Sequence, residues 1–315
     1  MKKMNKPNGV TLALMCFAAT LKAQDLYVAN AGNGTIGEYG PDGSTVNASL
    51  ISGLDGPVGI VFSGDYLFVV NQGNGTIGEY TTSGQTVNVP LISGLNGPAA
   101  IAISGSDLFV ANESGGTVGE YTISGQTVAA SLIFDGQQPN GIAVSGSSLF
   151  IANRYNGTVS EYTTSGGYVS SSLISGLNGP NGIAVFGDYV FVAENDDGGY
   201  IGEYTTSGAE VNSLFLGLLG VPSGIAISGN DLLVPNAAGG TIGEYTTSGM
   251  TVNQSLIAGL SDPTGIAIGP VPEPSAVAMA GLGALVLWVW RRSTTSWFGS
   301  IRGNCCRPRQ PSRPQ

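Results

Sequence analysis

Histidine is absent from this chain of 315 residues. That removes the side chain most often used as a general base near neutral pH, and the commonest metal ligand. Cysteine is scarce, with Cys16, Cys305 and Cys306 confined to the two ends. No disulfide can therefore staple the residues between them, whatever the redox compartment. Charged residues make up only 10% of the chain. Between Gln24 and Ser275 one residue, Arg154, is basic, while all 21 acidic residues lie in that stretch, a net of −20. Such a body repels phosphate backbones, so nucleic acid is a poor partner, whereas cations or basic surfaces are attracted. Long helical patterns are missing too. Gly 50 and few charges suit short strands joined by tight turns.

What the chain does have is a ladder of Glu-Tyr pairs. Tyr39, Tyr80, Tyr121, Tyr162, Tyr204 and Tyr245 are spaced 41, 41, 41, 42 and 41 residues apart. A period this regular means one supersecondary unit copied six times, each copy burying its faces against its neighbours. The third copy shows the content of a unit. Ala100 to Ile103, Leu108 to Ala111, Thr117 to Tyr121 and Thr127 to Ile133 are short β-branched and aromatic runs parted by Gly, Ser and Asn. Four strands per roughly 40 residues is the blade of a β-propeller. The chain enters on a second-strand type, Leu26-Tyr27-Val28-Ala29, and finishes the array on a first-strand type, Gly265-Ile266-Ala267-Ile268. The expected fold is therefore all-β, a six-bladed propeller over residues 24–269 whose terminal strands share one blade and leave no open edge. An open β-solenoid is the alternative, but it has no need of complementary fragments at its two ends.

The flanks read as addresses. Lys2, Lys3 and Lys6, an apolar stretch from Val10 to Thr20 and a cleavage point after Ala23 predict a signal peptide over residues 1–23. Cys16 would suggest a lipoprotein, but Met15 before it is too large for the usual small residue. At the other end stand Pro272-Glu273-Pro274, then Ala276 to Trp290 without a charge, then Arg291-Arg292. Fifteen apolar residues are marginal for spanning a bilayer, and the arginine pair would hold that end on the cytoplasmic side. Residues 270–292 resemble a PEP-CTERM sorting signal. The resemblance implies an exported protein of a Gram-negative bacterium, held in the membrane through 276–290 until an exosortase-type enzyme processes it. It also implies a cell-surface or matrix setting, among extracellular polysaccharide and biofilm components. An ordinary C-terminal anchor is the alternative. Residues 293–315 depart from the pattern, which normally stops soon after the basic cluster, and their Pro and Arg content predicts a disordered basic tail.

A second resemblance lies in the motif before the inner strand. Gly56-Pro57-Val58-Gly59-Ile60, Pro139-Asn140-Gly141-Ile142, Pro180-Asn181-Gly182-Ile183, Pro222-Ser223-Gly224-Ile225 and Pro263-Thr264-Gly265-Ile266 share a Pro-x-Gly-Ile core, from which Pro98-Ala99-Ala100-Ile101 departs by one Gly. With the second-strand ending Val-Ala-Asn and the later Ser-Gly turn, this is similar to NHL-type and virginiamycin B lyase-like propellers. That lyase family implies a histidine and a divalent metal, and this chain has no histidine. Lactonase-type propellers imply Glu, Asn and Asp around a metal; those residue types are present here, but at repeated positions.

Candidate chemistry follows from the repeats. Glu38, Glu79, Glu120, Glu161, Glu203 and Glu244 alternate with the tyrosines, so each shares a face with the preceding Ile or Val. Six copies argue for a structural part. Asn30, Asn71, Asn112, Asn153 and Asn236 close the second strands; in the irregular blade the equivalent is open between Glu194 and Asn195. They read as strand-ending caps or as a polar ring at the channel rim, where carbonyls together with Asp55, Asp135 and Asp262 could hold Ca²⁺ or a sugar. Glu194, Asp196 and Asp197, brought together by the 42-residue step, are the expected metal site if there is one. The function expected is a non-enzymatic binding or scaffold module for extracellular polysaccharide, a surface protein or bridging divalent cations. The alternative is a metal-dependent lyase or lactonase with a degenerate site.

Overall fold

The structure, a computed structural model, describes residues 24–134, 136–196, 198–217 and 219–269. Six antiparallel sheets of four strands each follow one another along the chain, and no helix occurs among the described residues. Blades are numbered here by their tyrosines, from Tyr39 in blade one to Tyr245 in blade six. In blade three the strands run Pro98–Ser104, Asp107–Asn112, Thr117–Thr122 and Thr127–Phe134, from the inner strand to the outer. The ring closes in blade one, where Leu26–Asn30 lies between Thr35–Tyr39 and Pro263–Ile268. There Leu26 pairs with Ile268, Tyr27 with Ala267 and Val28 with Ile266.

The strand period of two decides how the blades pack. Tyr27, Ala29 and Ile36 of blade one bury their side chains in one cluster with Leu67, Val69 and Tyr80 of blade two. Each Ile-and-Glu face therefore meets the Gly-and-Tyr face of the next blade. The tyrosine ring folds back over the residue two places before it, where a Cβ on Gly78 would lie 2.7 Å from Tyr80 Cε2. Five blades place Gly there. Blade four places Ser160, whose hydroxyl accepts a bond from Asn153 Nδ2 at 2.9 Å.

The inner strands each carry a bulge at Pro-x-Gly. In blade two, Pro57 pairs with Asn71 and Gly59 with Val70, so Val58 has no partner across the ladder. Blades three and four repeat this at Ala99 and Asn140. Such a bulge re-aims one side chain out of the sheet. Blade six departs from the expected strand. Its inner ladder covers only Ala226–Ser228, with an isolated bridge from Pro222 to Asn236. Pro235 opposes this stretch without an N–H to donate, although its carbonyl still accepts from Ser223 N at 3.0 Å.

The glycines after x let the inner strands converge. A methyl on Gly265 would sit 2.2 Å from the backbone oxygen of Val58, whereas one on Gly59 meets the side chains of Ile101 and Val70 at 3.2 and 3.3 Å and no backbone atom closer than 3.4 Å. Gly265→Ala should therefore cost about 1–3 kcal/mol, the usual range for overpacking, and Gly59→Ala much less. Chemical denaturation of the two variants compares them directly; equal losses would show that backbone approach does not govern the channel.

Candidate functional site

The converging inner strands enclose an axial channel of about 100 Å³, lined by the x-Gly-Ile segments of all six blades. Its wall is close to sixfold. Above it the channel opens into a mouth of about 200 Å³. Val58, Ala99, Asn140, Asn181, Ser223 and Thr264, the residues at x, all reach the mouth. The loops after the second strands add Gln72, Glu113 and Arg154.

The mouth is not sixfold in chemistry. Blades two and three present the apolar Val58 and Ala99. Blades one and six present hydroxyls that are already engaged: Thr264 Oγ1 donates to Pro57 O at 2.9 Å and Ser223 Oγ to Pro263 O at 2.8 Å. Blades four and five present the amides of Asn140 and Asn181, whose side chains make no hydrogen bond among the described residues. Arg154 stands over this side, exposed and without an ion pair among the described residues. Unspent donors thus gather on one side of the opening, next to an apolar patch.

The asparagines expected at the rim lie deeper. Asn30, Asn71, Asn112 and Asn153 are buried, each donating its amide to the threonine opposite, as Asn30 Nδ2 does to Thr35 Oγ1 at 3.4 Å. Thr35 in turn donates to Asn33 Oδ1 at 2.8 Å, and the same relay runs through Thr76 to Asn74 and Thr158 to Asn156. The relay fixes which way the amide points and leaves the asparagine Oδ1 buried without a protein partner. A water is the ordinary guest at such an atom. Asn71 also borders a groove of about 400 Å³ between blades one and two, together with Asp55, Thr76 and Tyr80. That groove is larger than the mouth, but Asn71, Thr76 and Tyr80 recur at the same positions in other blades, so it marks the repeat. Asn236 is the exception, with Oδ1 accepting from Val221 N and Gly239 N at 3.3 and 3.2 Å.

In blade five the structure resolves the open assignment. Glu194 pairs with both Pro180 and Tyr200 at the strand end, the place of asparagine elsewhere. Asn195 falls one residue later, its N–H donating to Gly179 O at 3.3 Å just as Gln72 N does to Gly56 O. Glu194 is 1% exposed, and its carboxylate accepts from Asn178 N at 2.6 Å and from the Tyr200 hydroxyl. Burial pushes its pKa up, against those two donors. Asp196 is exposed, and its carboxylate and Asn195 Oδ1 both lie beside Gly179. Asp135 and Asp197 lie outside the described residues, as do Pro272, Glu273, Pro274, Arg291, Arg292 and the 276–290 segment. Among the described residues no three His, Cys, Asp or Glu side chains gather closely enough to hold a metal ion. No helix among them is long and apolar enough to cross a membrane.

The ladder glutamates lie at the seams between blades. Tyr27 OH donates to Glu38 at 3.0 Å and Ser148 Oγ to Glu161 at 2.8 Å. Burial raises the pKa of Glu79, Glu120, Glu203 and Glu244, with Asp107 and Asp231 adding repulsion at Glu120 and Glu244. Arg154 pairs with none of the six among the described residues.

The mouth residues were not singled out by sequence reasoning, yet a signal for them exists. In an array whose motifs repeat almost unchanged, the x of Pro-x-Gly and the residue after the strand-ending Asn are the ones that vary from blade to blade.

Residues 270–293 match the PEP-CTERM protein-sorting motif. The chain is thus a six-bladed β-propeller of the exported class that this motif directs to the surface or membrane of Gram-negative bacteria, and exosortase-type processing recognises the signal. Its ring is similar to virginiamycin B lyase from Staphylococcus aureus, at 18% identity and a TM-score of 0.57 over 80% of this chain and 92% of that one. It is also similar to a chain of a nidogen/laminin complex, at 16% identity and 0.63 over 79% and 99%. A gluconolactonase from Xanthomonas campestris matches at 14% and 0.55 over 66% and 80%. At these identities the likeness is one of fold. No curated protein sequence matches the chain.

The raised glutamates give a pH test. Each disfavours its charged form in the fold, so its contribution is fully present below the ordinary value of 4.5 and is lost as pH rises through the higher folded value. Thermal unfolding should therefore give a Tm that falls as pH rises above about 4.5, and Glu194→Gln should flatten that slope. A wild-type Tm that climbs there would contradict the assignment.

Proposed function

We propose that the propeller is a non-enzymatic binding module of the cell surface or matrix, and that it takes extracellular polysaccharide at the channel mouth. The observation that carries this reading is the uneven mouth, where Asn140, Asn181 and Arg154 offer unspent donors beside the apolar Val58 and Ala99. Small binding sites combine an apolar wall with a few converging polar groups in this way. Sugar hydroxyls suit amides that can both donate and accept. The sorting motif supplies the setting, since a protein directed to the surface meets polysaccharide there.

The fold it shares with a lyase and a gluconolactonase does not bring their chemistry with it, because propellers host many functions on one frame. The chain has no histidine. Among the described residues the one fully buried carboxylate, Glu194, is committed to Asn178 and Tyr200. Divalent cations enter this reading as bridges between acidic surfaces, with the exposed Asp196 the carboxylate to examine first.

Residues 24–269 contain all six blades and both partners of the closing pair, so this piece is the one to test. On an array of bacterial surface polysaccharides it should bind at least one, and Asn140→Ala combined with Asn181→Ala should weaken that binding at least tenfold while leaving the fold intact. A blank array from a preparation that opens a lactone would overturn the reading in favour of an enzyme.

A further inference from the structure

Arg154 is the single basic residue of the ring. Chance would set it anywhere among six blades, yet it stands at the axial mouth, and none of the described carboxylates pairs with it. An unpaired guanidinium in a body this acidic has not been placed to neutralise the fold. The repeat offers a control: the same position carries Ala31, Gln72, Glu113, Asn195 and Ala237 in the other blades, so the backbone there does not require arginine. The equivalent backbone bond, from Arg154 N to Gln138 O at 3.1 Å, is made in every blade regardless of side chain.

We propose that the mouth selects a sugar bearing a carboxylate, and that Arg154 is the residue that reads it; this rests on the polysaccharide-binding reading above. A guanidinium presents its donors in a planar fork that matches a carboxylate with two parallel bonds. The acidic body repels polyanions as a whole, so what favours a carboxylate at the mouth is local. Exposed charges farther than about 8 Å are screened at physiological salt; at the mouth itself Arg154 and Glu113 carry opposite charges, and the guanidinium is the group there that can pair with a carboxylate. Asn140 and Asn181, from the same blade and the next, lie beside it to take the ring hydroxyls, and Val58 and Ala99 give the ring an apolar wall. Glu113 stands on the neighbouring loop and can accept from a hydroxyl. The size of the opening limits the occupant. About 200 Å³ is room for roughly half a dozen waters at about 30 Å³ each, which is the scale of one sugar ring with the rest of the polymer running outward.

The test compares two probes on residues 24–269 by titration calorimetry. One is an oligogalacturonate; the other is its methyl ester, with the same rings and linkages and no charge. The acid should bind at least tenfold more tightly than the ester, and added salt should narrow the gap. Arg154→Ala should abolish the preference, and Arg154→Lys should restore part of it. Because the side chain is exposed and unpaired, both variants should melt with the wild type. Equal binding of acid and ester, or an acid preference that survives Arg154→Ala, overturns the role of Arg154 while leaving polysaccharide binding in place. Binding of neither probe overturns the acidic-sugar proposal, and the polysaccharide array then judges the broader reading by itself.

Discussion

The pairing of Leu26–Asn30 with Pro263–Ile268 is the constraint on which everything else depends. It joins residues more than 230 positions apart and converts a row of blades into a ring. Only in a closed ring do six inner strands converge on one axis, and only then do the six residues at x meet around one opening. The closure also removes the open ends that a linear array would present as sticky sheet edges.

Packing and site are linked through the same alternation. Between blades, the Ile-and-Glu face of one sheet covers the Gly-and-Tyr face of the next, which fixes their spacing. At the axis, glycine after x removes the side chain that would hold the inner strands apart. The bulge then turns x out of the ladder and into the mouth. The repeat thus supplies a rigid, nearly symmetric frame, and the variation at the mouth falls on two positions per blade. Rigid elements hold polar groups more accurately than loops do.

Much of the frame was legible in the chain. The tyrosine spacing, the four strand types and the complementary ends led to six closed blades. Local chemistry could not foretell that Pro235 would shorten the inner ladder of blade six, since that depends on which residue lies across from it. The insertion near Tyr204 left Glu194 and Asn195 interchangeable until the pairing with Tyr200 placed Glu194 in the ladder. The strand-ending asparagines drew attention because they repeat, whereas the mouth is built from positions that do not. Recognising Asn140, Asn181 and Arg154 requires knowing that the bulge and the loop after the second strand share one end of the ring. That is a fact of topology rather than of any short segment.

A crystal structure of residues 24–269 with a bound acidic oligosaccharide tests the central claim most directly. The expected result is sugar density at the axial mouth, with a carboxylate on the Arg154 guanidinium and ring hydroxyls on Asn140 and Asn181. Density in the outer groove beside Asp55, Asn71 and Tyr80, with the mouth left to solvent, would contradict it.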